Sequence, residues 1–264
     1  MSEKETLTKP KLSKADLAEA ENDAAATATP SPFDANALFN QHQKSIVRVS
    51  DKLNLGGNVL DNTVGSGFAI DYLPSKNDSN KTDSGKSASS ETEAACRFAT
   101  DNHVVAHTSN DATVELGNGN KYPFTVELRD EANDLAIVRV EKVKKDDCHP
   151  LEITDQEAPL KANDPVVKMG ARNGYPDFTE GTVQTYFTRE DARGLPLLPG
   201  EDKKRSMLSV ITKSNISQGG DSGGPMLDAT GKTIAVMDAD GPYVMAGTPA
   251  HLLRKHLQKL KASD

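Results

Sequence analysis

Twelve short runs of apolar or alternating residues, parted by turn signals, constrain this 264-residue chain more than any other feature. They lie at 45–49 (SIVRV), 64–72 (VGSGFAIDY), 96–100, 113–116, 124–129, 135–140, 165–169, 181–187, 207–212, 225–227, 233–237 and 243–246. Gly117-Asn118-Gly119, Asn173-Gly174 and Thr230-Gly231 punctuate them. Many short strands with few helices predict an all-β barrel or sandwich. The end of the chain differs. Residues 249–261 (PAHLLRKHLQKLK) place Leu253, Leu257 and Leu260 on one face, with Pro249 suited to a first turn and basic residues to the last. That pattern predicts a C-terminal helix, and 37–43 predicts a short early one.

Two segments cannot contribute to a core. Residues 1–32 are polar and of mixed charge, with an Ala/Thr run, and read as a disordered N-terminal segment carrying a weak helix signal at 14–23. Residues 74–93 (PSKNDSNKTDSGKSASSETE) read as a mobile surface insertion, and their Asp/Asn spacing is not that of a calcium loop. The remainder, 33–264, is expected to be the working domain. Net charge is −8 and the pI near 5.3, which argues against general nucleic-acid binding or attraction to an anionic membrane. No apolar run approaches the ~20 residues that span a bilayer. The N-terminus has no apolar stretch of a secretory signal, so the expected location is cytoplasmic, or extracytoplasmic if an upstream export segment is missing. Cys96 and Cys148 match no metal motif. They are either free thiols, which suit a reducing compartment, or one bridge.

The chemistry concentrates in three places. Gly219-Gly220-Asp221-Ser222-Gly223-Gly224-Pro225 sets a serine among glycines. A nucleophilic hydroxyl needs a tight open turn, with backbone N–H groups aimed at the developing oxyanion. Glycine removes Cβ atoms from that approach and permits unusual φ. Alone, the segment also fits a glycine-rich β-turn. Thr100-Asp101-Asn102-His103-Val104-Val105 puts a histidine at the end of an apolar strand, and Asn133-Asp134-Leu135-Ala136-Ile137 puts an aspartate at the start of another. Serine requires a general base near pH 7, and the base requires a carboxylate to orient it. Each residue alone has an ordinary structural explanation; the three roles together are hard to explain so.

These segments, in the order His, Asp, Ser, resemble the chymotrypsin-fold serine proteases, and within them the protease domain of the bacterial HtrA (Deg) and V8-like branches. Gly65-Ser66-Gly67-Phe68, 114–120 (VELGNGN), Gly181-Thr182-Val183 and Ala246-Gly247-Thr248-Pro249 add to the likeness, which spans about Ser45 to Leu257. The resemblance implies two six-stranded antiparallel β-barrels with a boundary near 150–163. His103 and Asp134 would lie in the first barrel and Ser222 in the second, and the amides of Gly220 and Ser222 would form the oxyanion hole. It implies polypeptide substrates, no metal or organic cofactor, and a homotrimer built through N-terminal aromatics such as Phe33 and Phe39.

The chain also departs from that pattern. Only 39 residues follow Pro225, too few for the PDZ module of HtrA proteins. Asp221 stands before the nucleophile, as in the trypsin branch, where that aspartate pairs with an N-terminus freed by cleavage. Ile46-Val47-Arg48-Val49 resembles such a terminus only faintly and reads as an ordinary first strand. Ile216 and Ser217 are expected to border the pocket for the residue before the scissile bond, with Asp238 and Asp240 on its other wall. Spaced by two, those aspartates share a strand face, and solvent is the expected side, because two unpaired inward carboxylates are costly. The expected activity is that of a serine endopeptidase. The alternative is a silent or gated peptide-binding module, with 189–206 covering the site.

Overall fold

The computed structural model describes residues 33–55, 58–74, 93–106, 112–171, 174–191, 200–212, 219–241 and 243–263. The weak helix at 14–23 and nearly all of the 74–93 insertion lie outside them. A short helix, α1 (Ala35–His42), precedes six strands: β1 (Ile46–Leu55), β2 (Asn58–Leu73), β3 (Glu93–Thr100), β4 (Thr113–Leu116), β5 (Lys121–Asp130) and β6 (Leu135–Lys144). Six more follow: β7 (Pro165–Gly170), β8 (Asp177–Thr188), β9 (Ser206–Thr212), β10 (Pro225–Leu227), β11 (Thr233–Gly241) and β12 (Val244–Pro249). The chain ends in α2 (Ala250–Lys261). Each expected strand lies within or overlaps one of these.

The strands close into two barrels, in the orders β1-β2-β3-β6-β5-β4 and β10-β11-β12-β9-β8-β7, and every pairing along them is antiparallel. Closure follows from double pairing: Val47 faces Gly67 on one side and Leu116 on the other. Inward residues alternate and fill each barrel. Val47, Val49, Phe98, Val114, Val138 and Val140 pack the first, and Val166, Val183, Leu208, Val210, Met226 and Ile234 pack the second. Ile46 is fully buried and paired with Phe68 inside β1, as an ordinary strand residue.

The barrels meet through main-chain contacts. Ser66 N donates to Ser222 O (2.7 Å), and the connection between the barrels is tied to the first by Leu151 N to Ala69 O (2.9 Å) and to the second by Thr154 N to Thr233 O (3.0 Å). Gly65 allows the first: a Cβ there would lie 2.9 Å from Ser222 O and closer still to Val104. Cys96 of β3 and Cys148 after β6 form a disulfide, Cα–Cα 5.9 Å, so the bridge is the alternative realised. Phe39 of α1 stacks on Phe178 of β8 at 4.8 Å within the chain. In α2, Leu253 and Leu257 are buried on the second barrel side. Pro249 caps the helix in extended backbone rather than entering its first turn. The polar face of α2 reaches the first barrel: His256 Nε2 lies 2.6 Å from Asp130 Oδ2 and Lys261 Nζ 2.7 Å from Asp71 Oδ1. No described helix is long and apolar enough to cross a membrane.

Candidate active site

His103 opens a single 3-10 turn after β3, and Asp134 ends the turn before β6. Strands β3 and β6 are hydrogen-bonded neighbours, with Thr100 opposite Ala136, so pairing alone brings the two together. Asp134 grips His103 at two points. Oδ1 accepts from the His103 amide (2.8 Å), and Oδ2 lies 2.7 Å from ring Nδ1. Asp134 adopts φ 53°, a left-handed conformation that Asp tolerates better than most side chains. The turn is held from behind. Asp130 accepts from the Asn133 amide (3.1 Å) and from Asn133 Nδ2 (2.8 Å). The Asn133 carbonyl accepts from Arg205 Nη1 (2.6 Å) and Thr248 Oγ1 (2.9 Å).

Ser222 sits between β9 and β10 in a turn with Gly220 at φ 104° and Gly223 at φ 87°. At Gly223 a Cβ would lie 2.3 Å from both Ser66 O and Thr100 Oγ1, so only glycine fits there. The turn is pinned on every side. Ser66 Oγ donates to Gly220 O (2.8 Å), Gly223 N to Met237 O (2.7 Å) and Gly224 N to Asp221 O (3.0 Å). Asp221 is buried and ion-paired with Lys168 of β7, itself wholly buried. An internal ammonium therefore stands beside Asp221, while Ile46 stays in its strand. Ser222 Oγ donates to the Asp238 carbonyl (3.2 Å).

The sequence places Asp238 toward solvent, yet its side chain is 5% exposed and ion-paired with Arg205. The expectation assumed that an inward carboxylate would be unpaired, and Arg205 supplies the partner; the strand is also irregular there, with a bulge between Met237 and Ala239. Arg205 is also paired with Glu201, which lies 3.3 Å from Arg189. The described ends of the 189–206 segment are thus anchored by ion pairs behind Asp134. Residues 192–199, Ile216, Ser217 and the side chain of Asp240 lie outside the described residues.

Three carboxylates share this interior, and they titrate differently. Asp134 is buried, which favours its neutral form, but the bonds and charge of His103 outweigh that and hold its pKa below the usual value. Burial also works against the charged form of His103. The bond and charge of Asp134, with Asp238 and Glu201, prevail and raise its pKa. Burial pushes Asp101 well up, and repulsion from Asp134 and Asp238 adds to it. Burial lifts Asp238 to about 6; Arg205 opposes this and the Asp134 charge reinforces it. Asp101, Arg205 and Glu201 were not singled out from sequence. Asp101 alone carried a signal: it is an acidic residue at the buried end of an apolar strand.

Comparison with known proteins agrees with this architecture. A family model described as "Trypsin-like peptidase domain" matches residues 83–236, more than half of the chain. Serine protease HTRA1A of Danio rerio is 29% identical over 139 residues, covering 53% of this chain and 27% of that protein. The match thus spans about a quarter of that relative's length.

Proposed function

Since the chain belongs to the trypsin-like peptidase domain family, we propose that it is a serine endopeptidase working through His103, Asp134 and Ser222. The observation that carries the proposal is the two-point hold of Asp134 on His103, beside a serine in a glycine-built turn. In this mechanism His103 Nε2 takes the Ser222 proton as Oγ attacks the peptide carbonyl. The tetrahedral oxyanion rests on the amides of Gly220 and Ser222. His103 then passes the proton to the leaving amine, giving the acyl-enzyme, and a water activated by the same nitrogen releases the acid. Asp134 stays ionised throughout; it keeps the Nδ1–H tautomer and stabilises imidazolium. Substrates are polypeptides.

One observation favours the gated alternative: Ser222 Oγ donates to the Asp238 carbonyl, and that bond must break before the proton moves to His103. One experiment decides. A fluorophosphonate probe is expected to label the wild type and neither Ser222→Ala nor His103→Ala. Peptide hydrolysis should fall by at least about a thousandfold in each variant. A folded wild type that stays unlabelled would mean a closed site and favour the peptide-binding module.

A further inference from the structure

Serine chemistry gives Asp101 no task, yet the side chain is fully enclosed at the centre of the site. Neither of its carboxylate oxygens has a hydrogen-bond partner among the described residues. The nearby Gly223 amide is directed to Met237 O. Buried carboxylates are ordinarily paired or bound to metal. Asp101, His103, Asp134 and Asp238 each present one donor atom, and these atoms all lie within 4.8 Å of one another. His103 Nδ1 is 2.7 Å from Asp134 Oδ2 and 4.0 Å from Asp101 Oδ2.

We propose that these four residues form a binding site for a divalent transition-metal ion, Zn²⁺ foremost, and that its occupation switches the peptidase off. Zn²⁺ takes imidazole nitrogen and carboxylate oxygen at about 2.0–2.2 Å, so tetrahedral ligand atoms sit about 3.3 Å apart. The 2.7 Å pair must open and the 4.0 Å pair close by about 0.6–0.7 Å each, and separations of up to 4.8 Å must close by as much as about 1.5 Å. Charge agrees as well. Metal binding ionises all three carboxyls, and the resulting −3 is balanced by one divalent ion and the Arg205 guanidinium on Asp238. A nitrogen ligand and a confined space disfavour Ca²⁺ and Mg²⁺, which take oxygen ligands. His103 is the least buried of the four, and its ring offers the way in from the cleft.

Inhibition follows from the tautomer. A metal on Nδ1 leaves the neutral ring's proton on Nε2, the nitrogen that must accept the Ser222 proton. This part rests on the function proposed above; binding itself does not. The test uses the full chain carrying Ser222→Ala, stripped with chelator and titrated with Co²⁺ as a visible-absorbing stand-in for Zn²⁺. A tetrahedral Co²⁺ band that Zn²⁺ displaces is expected, and Asp101→Asn should weaken it about tenfold or more. Metal-dependent elevation of Tm in the Ser222→Ala protein gives a second measure, independent of how Asp101→Asn folds. In the wild type, Zn²⁺ should abolish peptide hydrolysis and chelator should restore it. A protein that reacts with the phosphonate probe but shows neither a Co²⁺ band nor a Tm shift overturns the metal site and leaves the serine chemistry standing. A Co²⁺ band lost in Asp101→Asn establishes the site even if no peptide is cleaved.

Discussion

Single side chains set the protonation that the reaction needs. As the proposed base, His103 must be neutral to accept a proton; burial works against its charged form, but Asp134, Asp238 and Glu201 prevail and raise its pKa above the ordinary 6.5. In metal-free protein, kcat/KM is therefore expected to rise with pH along a limb centred above 6.5; a limb at or below that value would contradict the assignment of the base. Lys168 and Asp221 make the second residue-scale case. Both are wholly buried, and removing one partner of such a pair costs ~3–5 kcal/mol. Lys168→Met should lower the melting temperature and cut kcat more than KM, because the turn carrying the Gly220 and Ser222 amides loses its anchor. Lys168→Arg should recover little, since the larger guanidinium does not fit a space closed around an ammonium. The contact of His103 with Asp134 and the glycine-built turn around Ser222 were legible in the sequence because each proposed role imposes its own local pattern. Arg205 was not, and Asp101 showed only as an acidic residue at the end of an apolar strand: the charges each faces come from strands far apart in sequence, and nothing nearby records them.

Strand positions were legible for a similar reason, since period-two alternation and glycine punctuation are local. Their ends were less so, because pairing with a neighbour extends a strand past its apolar part, as in β1 and β2. The bulge in β11 could not be read at all, nor could the Arg205 partner that Asp238 meets in the interior beside it. Helix α2 has a role that its apolar stripe did not reveal. It packs on the second barrel while His256 holds Asp130, and Asp130 holds the turn that ends in Asp134. Burial alone would raise the Asp130 pKa, but the bonds from His256 and Asn133 bring it down to about 2. A carboxyl lowered in the folded state adds stability above its unfolded value near ~4 and loses it as pH falls towards 2. Asp130→Asn should remove that acid-dependent part of stability, measured as the denaturant midpoint from pH 6 down to about 2. It should also reduce kcat, because Asp134 loses its backing; an unchanged acid profile would show that the pair carries no weight.

Across the whole molecule, two closed barrels with separate cores share one site, and the Cys96–Cys148 bridge spans 52 residues, from β3 to the start of the inter-barrel connection. Closing a loop of that length contributes about 2–4 kcal/mol. Reduction, or Cys96→Ala with Cys148→Ala, should lower Tm by roughly 5–15 °C with little change in kcat at 25 °C. A protein purified without reductant should show no free thiol by mass after alkylation; two alkylated cysteines would refute the bridge. The closure of each barrel bears on how the molecule can be divided. No strand of either ring comes from the other half of the chain, so a backbone cut between Glu157 and Asn163 severs no sheet. It leaves His103 and Asp134 on one polypeptide and Ser222 on the other. On the proposed mechanism neither fragment owns a reaction, so the chemistry would report a meeting of two partners, and a split form would read out any interaction that brings its halves together.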